Sequence, residues 1–141
     1  AINRSVYAAG TNTPLFTISG LTFGVIICND SNHPELARDI AAGGAHALFV
    51  ASNNGLPPEK SYPELVADTR GIDAALAKRY RLWVIRADVA GCVDGLISDG
   101  ASGIVNPDGQ QVAASGYRTT DLLIAEITPR DASSQTPLRE R

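Results

Sequence analysis

A chain of 141 residues with 44% apolar and 19% charged side chains is long enough for one domain with its own core. That balance excludes a disordered or charge-driven scaffold. Twelve basic residues against fifteen acidic ones leave a net charge of −3 and no basic stripe, so nucleic acid is excluded as a partner.

No apolar run approaches the ~20 residues of a membrane span, so no membrane partner is expected. Residues 1–13 lack the basic, apolar, then small-residue order of a signal peptide, and the expected location is cytoplasmic. The sequence contains no Met, so the start at Ala1 reads as a cut or processed end of something longer. Two cysteines, Cys28 and Cys92, stand too far apart for a disulfide framework. Each is either a small buried hydrophobe or a functional thiol.

In chain order, Leu15–Ile18 reads as a strand, Ser19-Gly20 as a turn, and Leu21–Ile27 as a second strand with alternating apolar residues. A helix follows Cys28. Asn32 is its predicted N-cap, Pro34 suits the first turn, and Glu35 completes a capping box. Leu36, Ala37, Ile40 and Ala41 form the inner stripe, and Gly43-Gly44 stops the helix. Ala45–Ala51 is a buried strand, and Ser52–Tyr62 is a loop rich in Asn, Gly and Pro.

Pro63–Arg81 is a second helix, with Leu65, Val66, Ile72, Leu76 and Tyr80 inward and an irregular middle expected at Gly71. Leu82–Ala87 is a strand. Ser102–Val105 and Gln111–Ala114 form a hairpin around Asn106-Pro107-Asp108-Gly109, and Leu122–Ile127 is a last strand. Residues 1–128 make the domain and 129–141 a polar tail. The result is a mixed α/β sheet with helices on one face, the other face lacking helical cover within the chain.

Chemistry concentrates at Cys28. It ends a buried strand and precedes a tight polar turn, Asn29-Asp30-Ser31-Asn32, that opens a helix. Free backbone N–H groups and a positive helix end suit a thiolate and a developing oxyanion. This is the logic of a nucleophile elbow, although G-x-S-x-G itself is absent. A buried structural cysteine is the competing reading. His33 is better explained by capping or surface packing than as a base for Cys28, and His46 as a strand-edge residue. Cys28, His33, His46 and Asp30 lack the spacing of a zinc site, so no metal is expected, and no cofactor motif is present.

Gly24-Val25-Ile26-Ile27-Cys28-Asn29-Asp30 with Pro34-Glu35-Leu36-Ala37-Arg38 resembles the nucleophile segment of the nitrilase superfamily, the carbon–nitrogen hydrolases. The likeness continues through Gly44–Val50, Arg70–Tyr80, Trp83–Asp88 and the Gly100–Gly109 hairpin, covering residues 12–128 in the family's order. It implies an α-β-β-α sandwich, of which this chain resembles the C-terminal half. It also implies a Glu-Lys-Cys catalytic set acting on a small-molecule amide, nitrile or carbamoyl carbon through an acyl-enzyme.

Cys28 then matches the nucleophile, and the Asn29 backbone N–H one oxyanion donor. Asn53 and Asn54 resemble residues that line the substrate pocket, or else serve the turn. The family's Lys and general-base Glu lie upstream of the cysteine, and residues 1–27 contain neither type. Glu35 and a solvated Lys60 do not replace them, Arg86 and Asp88 are expected to pair structurally, and Cys92 falls in a loop. Two functions follow: a hydrolase portion completed by a missing half, or a non-catalytic remnant or assembly module. Either implies a homo-oligomer or pairing with an N-terminal half. A stand-alone Cys28–His33 enzyme is weaker, because no third orienting group is evident.

Overall fold

The computed structural model describes residues 10–128. Eight strands and two α-helices follow one another as β1 (Leu15–Ile18), β2 (Leu21–Ile27), α1 (Pro34–Ala42), β3 (Ala47–Ser52), α2 (Glu64–Tyr80), β4 (Trp83–Asp88), β5 (Ala90–Val93), β6 (Leu96–Asp99), β7 (Gly103–Val105) and β8 (Gln111–Ala114). Six strands form one sheet in the order β1-β2-β3-β4-β7-β8, and β5-β6 is a separate hairpin. β2, β3 and β4 run parallel, while β1, β7 and β8 are antiparallel to their neighbours. The mixed α/β expectation holds.

Both helices cover one face. Gly24, Leu48, Val84 and Val105 lie in one register row, and Ile26, Val50 and Arg86 in the next. The apolar members of these rows pack with Ala37 and Ile40 of α1 and with Leu76, Ala77 and Tyr80 of α2. Gly24 is required by this packing. A Cβ there would lie 2.7 Å from Ile40 side-chain atoms, so α1 rests directly on the β2 backbone. On the opposite face, Phe16, Phe23 and Phe49 form an aromatic row with centroids 5.6 and 5.1 Å apart. No described helix covers that face, and Val25 and Ile27 remain exposed there.

Several boundaries differ from the sequence reading. Asn32 does not cap α1; its Nδ2 donates to Asn29 Oδ1 in a short 3-10 turn over Cys28–Asn32. His33 occupies the N-cap with no side-chain cap bond, and Glu35 faces the His33 ring at 3.3 Å instead of closing a box. Pro34 at the first position presets the helix without that cap. Gly71 does not interrupt α2, because the buried stripe from Val66 to Tyr80 outweighs the ~1 kcal/mol that glycine costs in a helix.

Arg86 pairs structurally, as expected, with Asp73 of α2. Cys92 is on β5 rather than in a loop. Leu122–Ile127 forms no strand: the segment pairs with no strand among the described residues, and the sheet ends at β8. The proposed tail at 129–141 lies outside the described residues. Among those described, no helix is long and apolar enough to cross a membrane.

Candidate functional site

Parallel pairing brings the carboxyl ends of β2, β3 and β4 to one edge of the sheet, where α/β folds place their ligand sites. Cys28 follows the end of β2, Asn53 and Asn54 follow the end of β3, and Asp88 closes β4. Residues 26 positions apart in sequence therefore meet: the half-buried Cys28 thiol donates to Asn54 Oδ1 at 3.3 Å.

Cys28 has φ 50°, a left-handed conformation that a residue with a Cβ adopts only at a cost. Its neighbours hold it there. Asp30 Oδ2 accepts from the Ile27 N–H at 3.0 Å, and the buried Ser31 hydroxyl donates to the Cys28 carbonyl at 2.9 Å. Strand, strained residue and short turn together make an elbow that lifts the thiol off the sheet end. Asn29 follows at the start of the 3-10 turn, where the first N–H groups lack partners within the turn. Its own side chain is held by Asn32.

The two asparagines part company. Asn54 lines a cavity of about 210 Å³ with Leu56, Leu65, Thr69, Asp88 and Ala101 among its walls. Asn53 Oδ1 instead accepts from the buried Ser98 hydroxyl on β6 at 2.8 Å. Asp88 Oδ2 accepts from the Ala101 N–H, while its Oδ1 is buried with no hydrogen-bond partner among the described residues. A larger cleft of about 450 Å³ beside α2, lined by Arg70, Gln111 and Tyr117, holds none of the predicted site residues.

His33 and His46 take no part at the thiol: His33 sits beside Glu35, and His46 Nδ1 accepts from the Thr22 N–H at 3.1 Å. Lys60 is exposed on a 3-10 turn.

The sequence reading missed the β5–β6 hairpin. Its signal was present, since Asp94-Gly95 between apolar residues is a two-residue turn pair, with φ 51° and 77°. The hairpin brings Asp99 to the cavity wall. Ser61 Oγ lies 2.7 and 2.9 Å from the Asp99 carboxylate oxygens, and Arg118 Nε donates to Oδ1 at 2.9 Å. Burial works against the charge of Asp99. Hydrogen bonds from Ser61, Arg118 and Tyr117, with the charge of Arg118, outweigh it and hold the carboxyl below an ordinary aspartate.

Comparison with known proteins fits this architecture. The family model for carbon–nitrogen hydrolases matches residues 1–136. A hydrolase in the pqqF 5′ region of Pseudomonas protegens is 31% identical over 82% of this chain and 38% of its own. A probable nitrilase of Schizosaccharomyces pombe is 31% identical over 97% of this chain and 47% of its own.

Among solved structures, a variant of the amidase from Nesterenkonia sp. AN1 superposes with a TM-score of 0.67 at 25% identity, covering 79% of this chain and 40% of the amidase. That amidase carries the acetamide moiety of fluoroacetamide covalently at its active site cysteine. The chain thus spans less than half the length of these relatives. With the family model matching nearly end to end and the nitrilase-type sheet in place, the chain belongs to the carbon–nitrogen hydrolase family.

Proposed function

We propose that this chain carries the nucleophile segment of an amide or nitrile hydrolase and that Cys28 is the nucleophile. The observation that carries the reading is the strained elbow at Cys28, with its thiol beside the Asn54 amide at the carboxyl edge of the parallel strands. Strain kept in place by its neighbours is characteristic of functional positions.

On this reading, the Cys28 sulfur attacks the amide carbon, an S–C bond forms, and the carbonyl electron pair moves onto oxygen. The Asn29 N–H and the Asn54 Nδ2, which donates to no described protein group, stand as donors for that oxygen. Collapse expels ammonia or an amine, and water then cleaves the thioester to release a carboxylic acid. Proton transfer in both halves needs an acid–base pair. Residues 1–27 contain no Glu and no Lys, and neither histidine is bonded to the thiol. The resemblance assigns that pair to segments preceding the cysteine, so the activity belongs to the chain completed by such segments. A small-molecule amide or nitrile in a cytoplasmic setting remains the proposed context.

Two measurements test this. Cys28 should react with iodoacetamide at neutral pH faster than the exposed Cys92, and the purified 141-residue chain should hydrolyse simple amides negligibly. Equal or slower labelling of Cys28 in folded protein counts against an activated nucleophile. Turnover by the chain alone that is lost in Cys28→Ala overturns the assignment of the missing acid–base groups.

A further inference from the structure

We infer that the β5–β6 hairpin positions Asn54 against the thiol, with Ser98 and Ser61 as the positioning residues. The inference rests on the proposal that Cys28 is the nucleophile and Asn54 a substrate contact, and it extends that site to a hairpin remote in sequence.

The segment 53–61 contains no strand and only a single 3-10 turn, so its placement depends on what it is tied to. Apart from the bond between Cys28 and Asn54, every hydrogen bond leaving it among the described residues runs to β6 or to Arg118. Three consecutive β6 residues supply the ties. Ile97 exchanges two backbone bonds with Leu56, at 2.8 and 2.7 Å. The buried Ser98 hydroxyl donates to Asn53 at 2.8 Å, one residue from Asn54. Asp99 meets Ser61, and Arg118 Nη2 donates to the Ser61 oxygen at 2.6 Å, closing a triangle with the Arg118 Nε bond to Asp99.

The hairpin is itself fastened at the site edge. Asp88, at the end of β4, accepts from Ala101 just past β6, and the Asp88 N–H donates to Ser102 Oγ. Elements from β4, β6 and residue 118 thus fix the loop at both ends. An Asn whose NH2 group is unengaged can orient an amide carbonyl only if its own backbone is held, because a shift of about 1 Å can cost ~100-fold in rate. Two serine hydroxyls in the ties are replaceable without touching Cys28 or Asn54.

The test compares two thiol-modifying probes on the full chain, one that alkylates with loss of chloride and one that forms a methyl disulfide with loss of methanesulfinate, each adduct read at Cys28 by peptide mass spectrometry. 2-Chloroacetamide carries an amide; methyl methanethiosulfonate does not. In the parent chain, the amide-to-non-amide rate ratio at Cys28 should exceed that of free glutathione. Ser98→Ala and Ser61→Ala, with folding verified by circular dichroism, should each lower the ratio about fivefold. The methanethiosulfonate rate should stay unchanged. Ser98→Thr, which keeps the hydroxyl, should restore the ratio, an outcome that loss of general stability does not produce. Should both alanine variants fold and keep the full ratio, the positioning role is wrong while the nucleophile reading stands. Should the parent chain itself show no excess over glutathione, the reading of Cys28 and Asn54 fails, and this inference with it.

Discussion

Arg86 on β4 meets Asp73 on α2 through two parallel hydrogen bonds of 2.7 Å, with both side chains almost fully removed from water. The pair sits in the register row of Ile26 and Val50, on the face that α2 covers, so it fixes how that helix lies over the sheet. Removing one partner leaves a buried charge without compensation. Asp73→Ala should destabilise the chain by about 3–5 kcal/mol, while a double change to apolar residues of similar volume should cost far less. Urea unfolding of the single and double variants checks this, and an additive double variant would count against it.

Asp99 makes stability depend on pH. Its folded-state carboxyl titrates below the ordinary aspartate value of 3.8, so it contributes stability that is complete above that value. The contribution is lost as pH falls from 3.8 through the lower folded value. The stability difference between the parent chain and Asp99→Asn should therefore be largest near neutrality and shrink below pH 3.8. Unfolding curves of both proteins across that range decide it; a difference independent of pH would refute the assignment.

Gly24 is a packing glycine rather than a turn glycine. A methyl group there overlaps the Ile40 side chain, and both the strand and α1 would have to shift. Gly24→Ala should cost about 1–3 kcal/mol. Combining it with Ile40→Val should recover part of the loss, and thermal melts of the three variants measure whether it does.

The open face of the sheet leads to a prediction about association. Phe16, Ile18, Val25 and Ile27 lie on the face opposite the helices, with Ile18 and Ile27 each 66% exposed. Covering several hundred Å² of such surface contributes on the order of 10 kcal/mol before entropic costs. The chain should associate through this face, with a copy of itself or with a preceding N-terminal segment. Sedimentation at micromolar concentration should show a species larger than the monomer, weakened by Val25→Lys. A folded monomer that binds no apolar dye would contradict this.

The sequence alone determined most of the local elements and the place of Cys28 at a strand end. Period-two alternation over Leu21–Ile27, Pro34 at a helix start and Asn106–Gly109 as a turn are short-range signals, and each element formed where its side chains dictated. Cys28 was legible because a strand end running into a polar turn is itself a local pattern.

What the sequence did not contain were pairings across distance. Asn53 and Asn54 are chemically identical neighbours, yet one faces a thiol and the other a serine 45 residues away. Only the parallel order of β2, β3 and β4 and the placement of β6 decide between them. That the partner of Arg86 is Asp73 follows from α2 crossing its register row. Leu122–Ile127 has the apolar run of a strand but pairs with no strand among the described residues, and without a ladder partner the pattern does not become one.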